Sequence, residues 1–405
     1  MLILTYIIFI CYIPIIGGFF PRMPLGLNST WLFFYLLALA FIIDSLIKQD
    51  VKFRNKWIFF LAIYSLVVFA SISWTPHYSY CQSDIRRLFV TIFVPLFIAF
   101  VAINLFRQEP NVRLYIKNII IASFILSLIA IYQWINGIPS PDSIKYGLQE
   151  LRVSATFANP NGLAIFLVLT IPCIIYGIEK NVISKIFGWL VVPAVMVGII
   201  CTVSRKGIIT MIIAFLLYYV LKKQFKRVAV LSVALAVLVV IIAGFPAISD
   251  RFASDKMHAD VEGKKVMTLA GWDMFLSSPI RGLGYNGYYE HFGEYFPWYS
   301  EKKYQAHNMY ITVLADQGLA GFVPFMLIFL YPLFISAKIL REKSEMPDKE
   351  YSKDMAVICI SSVVPFMMSG YYAGGLLYSQ IIVSVLYTHI TFVLAANIEE
   401  EVEGT

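Results

Sequence analysis

Long apolar runs alternate with short polar breaks along almost the whole chain. Runs of roughly 17 to 22 residues, the length a bilayer core demands, fall at 2–20, 31–47, 57–73, 88–106, 118–135, 162–178, 186–203, 207–221, 228–245, 318–337, 355–372 and 376–396. Each is predicted as a membrane-spanning helix, about twelve in all. The first run lacks a basic segment ahead of it and a small-residue cleavage site, so it is expected to stay as a helix and not be removed as a signal peptide. One long polar interruption breaks the rhythm, from about Pro246 to Gln305, before the chain re-enters apolar sequence through Ala306-His307-Asn308-Met309-Tyr310. The predicted organisation is therefore helices 1–9 over residues 1–245, a large loop over 246–307, helices 10–12 over 308–396, and an acidic tail over 397–405 with Glu399, Glu400, Glu401 and Glu403.

Composition agrees with an all-α polytopic membrane protein. Hydrophobic residues make up 59% and charged residues 14%, and the mean hydropathy is +0.75, far above a soluble domain. A formal net charge of +7 could indicate nucleic acid, but no basic stripe with interleaved aromatics is present, and nucleic acid is excluded. The cations fall instead in alternate short loops: Lys48, Lys52, Arg54 and Lys56; Arg107, Arg113 and Lys117; Lys180 and Lys185; Lys222, Lys223, Lys226 and Arg227; Lys338, Arg341, Lys343, Lys349 and Lys353. The inside-positive bias assigns these loops to the cytoplasm. Both termini then lie inside, while the 136–160 loop, the Arg205 corner and the 246–305 loop lie outside. Of five cysteines, Cys11, Cys173, Cys201 and Cys359 sit in apolar runs and Cys81 in a loop, a spacing that suits neither a disulfide framework nor a metal site.

The large loop carries local structure of its own. From Lys264 to Ser277, Val266, Leu269, Ala270, Asp273 and Met274 recur at helical spacing, and Trp272, Phe275 and Leu276 extend an apolar face. This predicts an amphipathic helix lying on the membrane, ended by Pro279 and Gly282. The string Gly282-Leu283-Gly284-Tyr285-Asn286-Gly287 matches a dinucleotide fingerprint letter for letter, but it follows a helix and no βαβ unit surrounds it, so a tight turn is expected.

Two residues stand out chemically. Arg205 lies at the lip of two spans joined by almost no loop, an expensive place for a guanidinium unless something anionic meets it. An arginine there can also snorkel or cap a hairpin, but Arg205 and Lys206 lie on the predicted outer side, against the usual bias. His307 begins the return to the membrane, and a positioned imidazole can take a proton from an attacking hydroxyl. His77, His258, His291 and His389 are expected to be structural. No HExxH motif or carboxylate cluster points to a metal hydrolase.

Four short pieces then fall in a recognisable order. Arg152-Val153-Ser154-Ala155-Thr156-Phe157-Ala158-Asn159-Pro160-Asn161, Ser204-Arg205, Pro279-Ile280-Arg281-Gly282-Leu283-Gly284, and His307-Asn308-Met309-Tyr310 with Leu314, Asp316, Gly318 and Gly321 together resemble the signature of the O-antigen ligase and Wzy-type polysaccharide polymerase family. The resemblance covers most of the chain. It implies a GT-C-like, metal-independent membrane glycosyltransferase with no cofactor, whose donor is an undecaprenyl-diphosphate-linked glycan and whose acceptor is lipid A core or a lipid-linked repeat unit. It also implies a bacterial inner-membrane location with the active site facing outward. Arg205 matches the arginine that holds the diphosphate in such proteins, and His307 the histidine that assists the acceptor hydroxyl.

A further arginine of the family, fifteen residues before the proline of the PxxG turn, is replaced here by Lys264, followed by Lys265. Lysine neutralises phosphate as a point charge but lacks the two-pronged planar contact of arginine. Lys264, Lys265 or Arg281 could therefore complete the diphosphate site. Arg152, Asn159 and Asn161 are expected to shape the glycan groove, with Asn308 and Tyr310 also on the substrate-binding side. Ligase and polymerase share donor chemistry, and the sequence does not separate them. A transporter of a small anionic solute is the alternative outside the enzyme class, although the spans carry few ionisable groups of the kind such carriers place near mid-membrane.

Overall fold

The computed structural model describes residues 1–16, 29–48, 55–75, 82–145, 151–230, 254–296, 304–342, 347–373 and 379–403. Among the described residues the structure is helical, with no strand. In chain order the principal helices are α1 (Leu2–Ile16, with a π-helical stretch at Ile8–Tyr12), α2 (Ser29–Lys48), α3 (Lys56–Ser71), α4 (Gln82–Leu105) and α5 (Glu109–Ile135). They are followed by the short α6 (Pro141–Lys145), then α7 (Pro160–Glu179), α8 (Lys185–Cys201) and α9 (Arg205–Leu221). The large loop contributes α10 (Ser254–Ser277) and α11 (Gly287–Tyr295), before α12 (Met309–Arg341), α13 (Pro347–Tyr371) and α14 (Gln380–Glu403). The segments Lys56–Trp74, Glu109–Ile135, Pro160–Glu179, Met309–Arg341 and Lys349–Tyr371 are long and apolar enough to cross a membrane, and α1, α8 and parts of α2, α4 and α14 form shorter apolar helices. The chain is thus an all-α, multi-pass membrane protein. The predicted span at 228–245 lies outside the described residues beyond its first turn.

Helix starts follow from local chemistry. Asn55, Asn159, Ser184, Ser204 and Asn308 each precede a helix and accept a backbone N–H of its first turn, satisfying donors that have no partner within the helix. Pro160 adds a residue already set for the first helical position.

In lipid the hydrophobic effect does not press helices together, so close packing must come from small residues and buried polar contacts. α8 approaches α5 through Gly198, where a Cβ would stand 3.0 Å from that of Ser127, and α9 approaches α7 through Gly207, 2.7 Å from that of Ala164. Deeper in the bundle His389 is fully buried, its ring bonded to Ser362 Oγ at 2.9 Å and Cys173 Sγ at 3.3 Å, in line with the structural role expected of it.

The charged ends of several helices gather at one end of the bundle. Lys180, after α7, pairs with Glu350 at 2.6 Å and Asp354 at 3.0 Å on α13; Lys222, after α9, pairs with Asp354; and Arg227 pairs with Glu179. Arg113 of α5 reaches the Lys180 carbonyl at 3.2 Å. These residues come from loops that sequence alternation assigned to a single face, and packing brings them together. Burial works against the Lys180 ammonium, but its two carboxylate partners outweigh it and raise the pKa.

Candidate functional site

The Arg205 corner lies at the opposite end of the bundle. The extended stretch 151–154 is laid across the join between α8 and α9: Val153 N–H donates to the Cys201 carbonyl at 3.5 Å, and Arg152 Nε donates to the Thr202 carbonyl at 3.2 Å. Arg152 is buried, and its Nη2 donates to Asn161 Oδ1 at 3.2 Å. That oxygen also accepts the Ser204 hydroxyl at 2.8 Å, while Ser204 Oγ caps α9 by accepting Gly207 N–H. Asn161 thus ties the Arg152 segment to the Arg205 corner, two pieces about fifty residues apart in sequence. Val203 at the corner has φ 51 and Ala155, directly after the 151–154 stretch, φ 47, left-handed conformations that cost energy for residues with a Cβ and persist only where packing enforces them.

Arg205 and Lys206 follow at the first turn of α9, both half-buried. Lys206 stands at the lip, one residue before the predicted 207–221 span. No carboxylate among the described residues pairs with it. Burial, then the neighbouring Lys264 and Arg152 charges, push its pKa down to about 7. Lys206 on α9 therefore lies within electrostatic reach of two cations from other chain segments, Arg152 before α7 and Lys264 on α10.

Helix α10 carries Lys264 toward this corner and runs from it to the start of α12. A Cβ at Gly271 would meet Tyr288 Cε2 at 2.9 Å and press on Ile311, and Ala270 and Met274 are buried with Tyr288, Phe292, Ala306 and Ile311. Lys264 and Gly271 are seven residues apart, about 10 Å along a helix. The predicted apolar face of this helix is divided in the structure. Ala270, Gly271 and Met274 face protein, whereas Leu269, Trp272 and Leu276 are exposed.

His307 is exposed and takes a left-handed φ of 50, four residues before Ile311. The turn it makes places Asn308 to cap α12, with Oδ1 accepting Tyr310 N–H at 3.0 Å and Ile311 N–H at 3.3 Å. Tyr310 donates its hydroxyl to the Met367 carbonyl of α13 at 2.8 Å. Asn159 likewise caps α7, and its amide donates to Asp142 of α6 at 2.7 Å. These three predicted substrate-side residues therefore engage the fold itself.

The PxxG turn has a structural task. α12 is broken at Gly318 (φ 58, ψ −158), and the turn docks on the break backbone to backbone. Leu283 N–H donates to Ala315 O at 2.8 Å and Gly284 N–H to Asp316 O at 2.9 Å; in return Leu319 and Ala320 donate to Pro279 O at 2.8 Å and Ile280 O at 3.0 Å. The buried Asp316 carboxylate accepts Tyr288 N–H at 2.7 Å, supplying the first turn of α11 with the side-chain cap that Asn286 does not. The tight-turn expectation for Gly282 to Gly287 is met. Arg281 in this turn and Lys265 on α10 are exposed, unlike the half-buried Lys264.

Sequence reading named Arg205, Lys264 and Arg152 separately but attached no role to Lys206. The signal available was a second cation beside Arg205 on a corner too short to carry it into water.

Fold and local geometry together define a many-helix membrane protein with cations gathered at one end of the bundle, and with α10 running from them to the start of α12, which the exposed His307 precedes. Residues 188–326, about a third of the chain, match the O-antigen ligase family. The match runs from within α8 to within α12 and contains Arg205, Lys206, Lys264, Lys265, Arg281, His307, Asn308 and Tyr310. The chain therefore resembles a family of membrane enzymes that ligate glycans. No curated protein matches it.

Proposed function

We propose that the protein transfers a glycan from undecaprenyl diphosphate to a sugar hydroxyl, on the outer face of a bacterial inner membrane, during surface polysaccharide assembly. The acceptor is lipid A core or another lipid-linked repeat unit. The observation that carries this reading is the gathering of Arg152 and Lys264 about Lys206 at the bundle end that holds Arg205, Ser204 and Asn161, with Arg205, Lys206 and Lys264 inside the stretch that resembles the family. A lipid diphosphate is anionic and already a good leaving group. Cations fixed where charge develops as the bond breaks lower the barrier, each well-placed group contributing about 3 kcal/mol.

In the proposed step the acceptor oxygen attacks the anomeric carbon and the bond from that carbon to phosphate oxygen breaks. The electron pair leaves with undecaprenyl diphosphate, and His307 takes the acceptor proton. Arg205 and Lys264 hold the diphosphate, with Lys264 preferred to Lys265 and Arg281 because it is the one set against Lys206. Arg152 and Asn161 line the approach, and holding acceptor and donor in line supplies much of the remaining acceleration. The chemistry asks for neither metal nor nucleotide.

Purified protein reconstituted with a polyprenyl diphosphate glycan and defined acceptors tests the reading directly. Wild type should release polyprenyl diphosphate and form a new glycosidic bond, while His307→Ala and Arg205→Ala should each lose at least a hundredfold in turnover. Undiminished transfer by either variant at equal folded protein would remove that residue from the site. Anion uptake by proteoliposomes without any transfer would replace the enzyme with a carrier.

A further inference from the structure

We infer that Lys206 is a third anion-binding side chain of this site, held in its charged form by the arrival of the lipid diphosphate, so that donor binding draws protons from solvent. The inference rests on the proposed donor and goes beyond it by assigning a residue and a pH response.

Geometry carries the argument. Lys206 is half-buried at the start of α9, directly behind the Arg205 position. The charged groups acting on it from neighbouring segments are Arg152, fixed by Thr202 and Asn161, and Lys264 of α10. Arg205 precedes it on its own helix. The other helices packed on α9 offer no counter-charge at this end: α7 and α8 carry charge only at their far ends, at Glu179 and Lys185, and α13 carries none after Asp354. A lysine so placed loses its proton more readily than one in water, because its charge is poorly solvated and repelled by two others.

An incoming diphosphate reverses both effects. Its negative charge supplies the missing counter-ion, the ammonium becomes the favoured form, and the pKa rises in the complex. The protonated site binds the anion, so affinity is full below about pH 7 and declines as pH rises through that value. The donor does not obscure this. Each phosphate of a diphosphate diester has a single, strongly acidic proton, so its charge is constant from pH 6 to 8.5.

Binding, not turnover, is the readout, because the proton transfer in the catalytic step would shape any rate profile. A synthetic polyprenyl diphosphate sugar is titrated into wild-type protein in lipid nanodiscs at pH 6, 7 and 8.5. Affinity should fall roughly tenfold or more between the ends of that range, approaching about thirtyfold if only the protonated lysine binds. Lys206→Met should bind weakly with a flat profile. Lys206→Arg, which stays charged throughout, should bind with a flat profile near the acidic wild-type affinity. It also keeps the test alive if the methionine variant fails to fold. A flat wild-type profile, or a Lys206→Met or Lys206→Arg slope equal to wild type, overturns the inference while leaving the proposed function standing. Absence of donor binding at every pH overturns both.

Discussion

Lys264 and Asn308 show how two residues from the same sequence signature do different work. Lys264 is half-buried within reach of Lys206, so its charge should matter more than its exact shape. Lys264→Met is expected to lower glycan transfer at least tenfold and Lys264→Arg to keep most of it, while Lys265→Ala and Arg281→Ala, at exposed positions, should stay within twofold. Turnover of reconstituted variants checks all four. Asn308 instead accepts two N–H groups of the α12 first turn. Asn308→Ala should lower stability by about 1 kcal/mol, the usual cost of a lost helix cap. Thermal unfolding in detergent would register that loss, and activity should follow the folded fraction. Arg205 and His307 stand out in the sequence, a cation at a corner between two apolar runs and an imidazole where an apolar run resumes. The part played by Asn161 was not legible there, because its carbonyl oxygen joins Arg152 to Ser204 only once the 151–154 stretch lies across the corner.

At the scale of elements, the PxxG turn and the break in α12 form one unit. A Cβ on Gly282 would stand 2.5 Å from the Asp316 carbonyl oxygen, and one on Gly318 2.5 Å from the Ile280 carbonyl oxygen. Both glycines also hold positive φ, at 67 and 58. Gly282→Ala or Gly318→Ala should therefore cost roughly 2–4 kcal/mol, from left-handed strain plus displaced backbone bonds. Cleavage between residues 278 and 290 should become faster in limited proteolysis, and an unchanged cleavage rate would argue against this docking. The helix at Lys264 to Ser277 was legible from its periodicity. Which stripe faced protein was not, since Leu269 and Trp272 are as apolar as Ala270 and Met274. The small residues win the interface because they allow α10 to lie close against α12, as Gly271 does against Ile311.

At the scale of the molecule, the two ends of the bundle treat a poorly solvated lysine differently. At the far end, carboxylates answer the cations, centred on Asp354, whose side chain is 1% exposed and pairs with Lys180 and Lys222. Asp354→Asn leaves two lysines facing a neutral amide and should destabilise the protein by about 3 kcal/mol, seen as a lower unfolding temperature with unchanged donor affinity in the folded fraction. The pairing also has a pH window. Lys180 raises no stability question at neutral pH: its pKa is raised, so its contribution is present below the ordinary lysine value and lost as pH rises through the folded one. Glu350, lowered chiefly by its bond to Lys180, contributes above the ordinary glutamate value and loses that contribution as pH falls through the folded one. At the Arg205 end, Lys206 lacks such an answer among the described residues, which is the asymmetry expected of a site that receives an anion.

The apolar runs alone determined that this chain is a helical membrane protein, because a backbone in lipid must satisfy its hydrogen bonds within each span. The caps were equally local: Asn159, Ser204 and Asn308 each serve a helix that begins at the next residue. Tertiary structure decided which cations lie near one another. Arg152 and Lys264 lie far from Lys206 in sequence, and their repulsion of its charge exists only after the segments that carry them have packed around α9. Charge type can be read from a residue, but the electric field it experiences depends on every segment folded around it.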